Sequence, residues 1–298
     1  CADVDHNGWK DVAFDGGAGI MLIKIFGGSG GVTFTSTTLF NSGFFLQNAT
    51  FADMNNDGWI DLFCCDDNDV SKLYLNDGTG NLDISTFVNF AINPGINYSG
   101  DPADSGNYGS TWIDFDNDGD LDLYVAHCRQ STTSPTDLRR INRLFVNDGS
   151  NNYTEMADTF EIAIGLQTWT ASFGDLNNDG DLDLVLFNHD HTSQIFENDG
   201  TGHYTELMST GFNTDAITPI ESVVEDFDND GYADILVTGS DWMYWKNNGD
   251  MTFTQVNGLF ASNGMLSFAS GDLNHDGFID IYSSYGNIYT TPSSVADV

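Results

Sequence analysis

Positive charge is what this chain most lacks: its 298 residues carry 8 Lys and Arg against 45 Asp and Glu, a formal net charge of −37. Such a surface repels phosphate backbones and anionic bilayers, which excludes nucleic acid and membrane insertion from the expected partners. It also strains its own compact state unless counterions bind. A sustained helical period is absent, so helical arrays are excluded. Cysteine is sparse: Cys1, Cys64, Cys65 and Cys128 fit no zinc-site spacing, and the vicinal pair cannot close an ordinary bridge on itself. A bridge from Cys64 or Cys65 to Cys128 and free buried thiols both stay open. Long apolar runs are missing too, since the longest, Ile20 to Phe26, contains Lys24 and falls far short of a membrane span.

Aromatics, by contrast, are abundant: 22 Phe, 11 Tyr and 6 Trp. Acidic disordered chains lack such residues, so the acid belongs inside a fold. Its placement is periodic. A nine-residue motif occurs six times, as DVDHNGWKD (3–11), DMNNDGWID (53–61), DFDNDGDLD (114–122), DLNNDGDLD (175–183), DFDNDGYAD (226–234) and DLNHDGFID (272–280). The starts lie 50, 61, 61, 51 and 46 residues apart, the period of a blade. A second marker follows four copies, NDG at 76–78, 147–149 and 198–200 and NNG at 247–249, with a glycine-rich equivalent at 27–31. Between markers run short β-rich segments, and Asn-Gly or Asp-Gly turns between such runs signal hairpins.

The fold expected is therefore all-β, a β-propeller of four-stranded antiparallel blades. Six repeats are visible, the first and last incomplete, and six to seven blades are expected in the full protein. The blades are expected at about 1–43, 44–92, 108–163, 166–212, 217–260 and 264–298, in one domain spanning 1–298, with an insertion at 91–110. Ring closure is not visible. Cys1 stands two residues before a motif, so the chain reads as starting inside a repeat, which leaves a missing upstream leader open and makes a lipid-modified Cys1 the less favoured reading.

The pattern D-x-[DN]-x-[DN]-G-x-x-D, followed by a hydrophobic strand and then a strand ending in N-D-G, resembles the FG-GAP/VCBS repeat family over essentially the whole chain. The resemblance implies a calcium-binding β-propeller of secreted or cell-surface proteins, and it implies no single activity.

The residues point to calcium independently. Oxygen-bearing side chains at the first, third, fifth and ninth positions converge when the loop curls about the glycine at the sixth, and all-oxygen ligation selects hard cations. The expected ligands are Asp3, Asp5, Asn7 and Asp11; Asp53, Asn55, Asp57 and Asp61; Asp114, Asp116, Asp118 and Asp122; Asp175, Asn177, Asp179 and Asp183; Asp226, Asp228, Asp230 and Asp234; and Asp272, Asn274, Asp276 and Asp280. Backbone carbonyls of Trp9, Trp59, Asp120, Asp181, Tyr232 and Phe278 are expected to join them, for up to six Ca²⁺. An EF-hand is excluded, because the twelfth position holds Phe14, Cys64, Val125, Leu186, Val237 or Ser283, none acidic. Solvated acidic turns are the competing reading, and the repeated ninth Asp argues against it, since turn chemistry alone gives no reason for that residue. The first loop is the weakest of the six, with Asn7 at its fifth position.

The acidic loops should share one face of the blades. The two departures from the period, 91–110 and 127–143, should lie on the other. The latter stretch gathers all four arginines, Arg129, Arg139, Arg140 and Arg143. They are read either as anchors pairing with Asp101, Asp104 or Asp137, or as an anion-recognition patch for a glycan or an acidic protein. Weaker candidates are a metal site at His189, Asp190 and His191, a sugar platform at Trp242, Tyr244 and Trp245 (more readily core), and N-x-[ST] sequons at Asn48, Asn97 and Asn152. The expected function is a non-enzymatic recognition or adhesion module for glycan or protein, extracellular or on a cell surface, from a bacterium. The alternatives are part of a calcium-dependent polysaccharide lyase or hydrolase, against which no nucleophile and base pair is found, and a structural spacer in a surface adhesin.

Overall fold

A computed structural model describes residues 1–15, 19–40, 46–67, 71–84, 106–215, 217–259 and 265–285, and these are strands, turns and loops without a helix. The chain divides into two compact units, Cys1–Gly165 and Leu166–Val298.

The first unit holds three antiparallel sheets, each in chain order. The first is β1 (Val12–Asp15), β2 (Ile20–Gly28) and β3 (Gly31–Phe40), with a bridge between Ala2 and Asp11 where a preceding strand would pair. The second is β4 (Leu46–Ala52), β5 (Asp61–Asp66), β6 (Lys72–Asn76) and β7 (Leu82–Ile84); the third is β8 (Asn107–Ile113), β9 (Asp122–His127), β10 (Arg143–Asn147) and β11 (Tyr153–Glu155). The second unit repeats the plan. Its sheets are β12 (Thr168–Gly174), β13 (Asp183–Asn188), β14 (Gln194–Asn198) and β15 (Tyr204–Glu206); then β16 (Pro219–Glu225), β17 (Asp234–Gly239), β18 (Trp242–Asn247) and β19 (Phe253–Val256); then the pair β20 (Met265–Gly271) and β21 (Asp280–Tyr285). Four-stranded antiparallel meanders in tandem are propeller blades, and the fold is all-β of that type. Strand β8 opens at Asn107, which pairs with His127, so the last residues of the stretch read as a connector belong to a blade. The rest of that stretch, including Asp101, Asp104 and Asn97, lies outside the described residues.

Why these strands form is plainest at β5, β9, β13 and β17, which are buried at all six positions. Period-two alternation sends their side chains to opposite faces, and each face meets a core. In the first unit Leu62 and Cys64 pack with Ile20, Leu22 and Tyr74, while Phe63 and Cys65 pack with Leu123, Val125 and Phe145. Each large side chain so buried contributes about 1.5–3 kcal/mol. In the second unit Val185, Phe187, Ile235, Val237 and Trp245 share one core. The four cysteines are free, with Cys64, Cys65 and Cys128 buried and Cys1 exposed, which resolves the choice left open by the sequence.

In a meander, the connection from first to second strand and the hairpin from third to fourth lie at the same end of the sheet. The acidic loops of the second to fifth blades are therefore each next to their own N-x-G hairpin.

Candidate metal centres

All six acidic loops share one hydrogen-bond scheme. The carboxylate at the first position accepts the main-chain N–H groups of the fifth and sixth: Asp175 takes Asp179 at 3.2 Å and Gly180 at 3.0 Å. Asp3, Asp53, Asp114, Asp226 and Asp272 repeat this. The fifth-position side chain in turn accepts the N–H of the seventh residue, as Asp179 does from Asp181 at 3.0 Å. Two left-handed residues curl the loop. The sixth is glycine in every copy, with φ from 87° to 97°, and the fourth is Asn or His, with φ from 55° to 64°. Asn tolerates that region better than most residues.

The third position divides the loops into two kinds. In loops two and four it is Asn, which donates to the fifth carboxylate, Asn55 to Asp57 at 3.0 Å and Asn177 to Asp179 at 2.9 Å; in loop six Asn274 accepts the N–H of Asp276. In loops one, three and five it is Asp, and three carboxylates in each bring an oxygen within 4.8 Å of one another: Asp3, Asp5 and Asp11; Asp114, Asp116 and Asp122; Asp226, Asp228 and Asp230. Burial, and then the charge of Asp118, pushes the Asp116 carboxyl above its ordinary pKa. In loop one Asp5 Oδ1 is buried without a hydrogen-bond partner. An all-oxygen set with an orphaned acceptor fits a hard divalent cation.

The ninth Asp has a role the sequence argument missed. Its Oδ2 accepts the N–H of the second loop residue, and its Oδ1 accepts an N–H from the third strand. Asp183 binds Leu176 and Asn198, both at 2.9 Å, and Asp61 binds Met54 at 3.2 Å and Asn76 at 2.8 Å. Asp11, Asp122 and Asp234 do the same with Ile25, Asn147 and Asn247, and Asp280 takes Leu273. The claim that turn chemistry gives no reason for this residue is thereby corrected: it ties loop, hairpin and second strand together without any ion. Burial pushes Asp61 up to about 6 and Asp122 and Asp183 up to about 7. Carboxylates so raised are ones whose charge the fold leaves costly.

Other contacts were hidden in the sequence. Fourth-position residues reach the next loop: His6 stacks on Trp59 with ring centroids 4.2 Å apart, and Asn56 donates to Asp120 at 3.0 Å. In the second unit Asn178 donates to the Gly231 carbonyl at 2.6 Å, and Asn229 to that of Gly277 at 2.9 Å. Seventh-position side chains lean on the hairpin glycine. A Cβ on Gly200 would stand 2.6 Å from Asp181 Oδ2, and one on Gly149 2.7 Å from Asp120 Oδ2.

At the opposite end of the third blade, the arginines anchor their own loop. Arg139 grips Asp137 through Nε at 2.8 Å and Nη2 at 2.7 Å, Arg129 pairs with Asp67 at 3.3 Å, and Arg143 pairs with Glu155 at 3.4 Å. Arg140 is buried and donates to the Thr132 carbonyl at 2.8 Å. Beneath them His127 is buried, and desolvation, aided by the Arg143 charge, pulls its imidazole down to about 3. The weaker candidates disperse. His189 stacks on Trp169 at 4.8 Å, Asp190 accepts the Gln167 N–H, and His191 lies 3.8 Å from Asp190. Tyr244 and Trp245 are buried in the core. Asn48 accepts from Ser110 at 2.6 Å, and Asn152 donates to Asp148 at 3.0 Å.

A family model described as FG-GAP-like repeat matches residues 53–125, 114–186, 175–237 and 226–283, each match running from one acidic loop through the next. No curated protein matches the sequence. Solved structures that share the fold include these two. One is BBS1N in complex with ARL6DN, soaked with lead, at 9% identity and TM-score 0.50, the alignment covering 95% of this chain and 78% of that one. The other is a triple arginine-to-alanine mutant of AofleA from Arthrobotrys oligospora, at 12% identity and TM-score 0.53, covering 97% of this chain and 83% of that one.

Proposed function

Because this chain belongs to the FG-GAP-like repeat family, we propose that it is a recognition module whose blades are braced by calcium at the acidic loops. The side chains at the first, third, fifth and ninth positions would hold the ion together with the carbonyls of Trp9, Trp59, Asp120, Asp181, Tyr232 and Phe278. Bound calcium would neutralise the carboxylates and brace the loop through its shared ligands. The observation that carries the reading is the convergence of three carboxylates in loops one, three and five, with Asp5 Oδ1 orphaned among them. At calcium about tenfold above Kd each site adds about 1.4 kcal/mol, so six sites add about 8 kcal/mol, comparable with the whole stability of a typical domain. Sites of this kind fit Kd values of about 10⁻⁴–10⁻³ M, which suits an extracellular or cell-surface setting.

The partner, a glycan or another protein, would meet the blade ends opposite the calcium loops. Arg129, Arg139, Arg140 and Arg143 support that surface rather than face the partner, and the polar tip from Ser131 to Thr136 is what they present. Calcium titration of chelator-treated protein tests the first part. A saturable rise in melting temperature beyond that given by sodium chloride of equal ionic strength supports it, and an equal effect of the two salts overturns it. A glycan and protein binding screen in calcium tests the second, where the double variant Thr133→Tyr, Thr136→Tyr should lose binding while keeping the calcium response.

A further inference from the structure

In the first five blades one third-strand position stands in the same register with the acidic loop, the residue just before the one whose N–H reaches the ninth Asp. These residues are Lys24, Leu75, Val146, Glu197 and Lys246, since Ile25, Asn76, Asn147, Asn198 and Asn247 make that bond. Two of them touch the third-position residue directly. Glu197 Oε1 accepts from Asn177 Nδ2 at 3.3 Å. Lys246 Nζ bonds Asp228 Oδ2, and also Asp230 Oδ2 at 2.7 Å. An ammonium group thus stands among the same oxygens that converge in loop five.

We infer that this strand residue sets how strongly its loop takes a divalent cation, Glu197 by adding a carboxylate to loop four and Lys246 by acting as a tethered competing cation in loop five. The inference rests on the reading that the loops bind calcium. Loop four holds Asp175, Asp179 and Asp183, so Glu197 raises its carboxylates to four, the number loop three has from Asp114, Asp116, Asp118 and Asp122. Loop five also has four, and Lys246 offsets one of them while blocking two oxygens. A metal entering there must first displace the ammonium. Loop three has the neutral Val146 at that strand position. The side chains at the first, third, fifth and ninth positions alone would rank loop five level with loop three; the strand beside it places loop five below.

The test uses the whole chain labelled with ¹⁵N-glycine, stripped with chelator and titrated with calcium chloride. The amides of Gly119, Gly180 and Gly231 each donate to the first Asp of their own loop, so each reports one site. In the native sequence the Gly119 and Gly180 signals should move at lower calcium than that of Gly231. Lys246→Met should lower the Gly231 midpoint by about tenfold or more and leave Gly119 in place, and Glu197→Lys should raise the Gly180 midpoint by a similar factor. Lys246→Gln serves as a second variant, and unmoved resonances elsewhere verify the fold. If Gly119 responds while the Gly231 midpoint is the same with Lys, Met or Gln at 246, the inference is overturned and calcium binding stands. If no loop glycine responds in any of these proteins, calcium binding falls and the inference falls with it.

Discussion

Asp183 Oδ1 accepts the main-chain N–H of Asn198 at 2.9 Å, joining the end of an acidic loop to the start of a hairpin fifteen residues on. The same carboxylate holds Leu176 N–H through its other oxygen. Asp183→Ala leaves two buried donors unpaired, and each costs about 1–3 kcal/mol. Urea denaturation in chelator should show that loss undiminished. A loss seen only with calcium present would reduce the residue to an ion ligand.

Asn178 combines left-handed backbone with a bond to the next loop. Asn178→Ala should therefore cost about 1–2 kcal/mol in backbone strain, plus about 1 kcal/mol for the bond. Asn178→Gly loses the bond but avoids the strain. Chemical denaturation of both variants should place the glycine protein between native and alanine, and equal losses would refute the division.

His127 gives the first unit an acid limit. Its folded pKa lies well below the ordinary histidine value, so the unfolded chain binds the extra proton as pH falls below about 6.5. Stability from this group is therefore complete above about pH 6.5 and is lost towards pH 3, by at most about 1.4 kcal/mol per pH unit. Thermal midpoints from pH 7 to 4 should fall less steeply in His127→Gln than in the native chain.

Thiol chemistry should separate Cys1 from the rest. Burial pushes the Cys65 thiol up to about 12 and raises Cys64 well above its ordinary value, and Cys128 is buried as well. A disulfide reagent at neutral pH should label Cys1 quickly and the other three only on unfolding. Rapid labelling of four thiols in the native protein would contradict this burial.

Blade period, hairpins and acidic loops were legible because each leaves a local mark: Gly8 or Gly180 for a left-handed turn, Asn198-Asp199-Gly200 for a hairpin, LDLVLF for a buried strand. Contacts between blades, or between a loop and a later strand, left none. Nothing in the order of residues pairs Asn56 with Asp120, or Lys246 with Asp228, because strand pairing and blade packing create those neighbours. The ninth Asp was visible and its reason was not, since spacing shows convergence on an ion but not two main-chain donors arriving from different strands. Of the arginines, the anchor reading was legible for Arg139, whose partner Asp137 lies two residues away, and not for Arg129 and Arg143. Their clustering in 127–143 fitted an anchor or an anion patch, and Asp67 and Glu155, which pair with Arg129 and Arg143, lie 62 and 12 residues away.

In β5, Leu62 and Cys64 belong to one core while Phe63 and Cys65 belong to another, and neither face is left over. A blade built on such a strand has no private interior to melt on its own. Heat or denaturant that opens blade two must expose the inner sides of both neighbours at once, so the first unit should come apart in a single concerted step rather than peeling from an end.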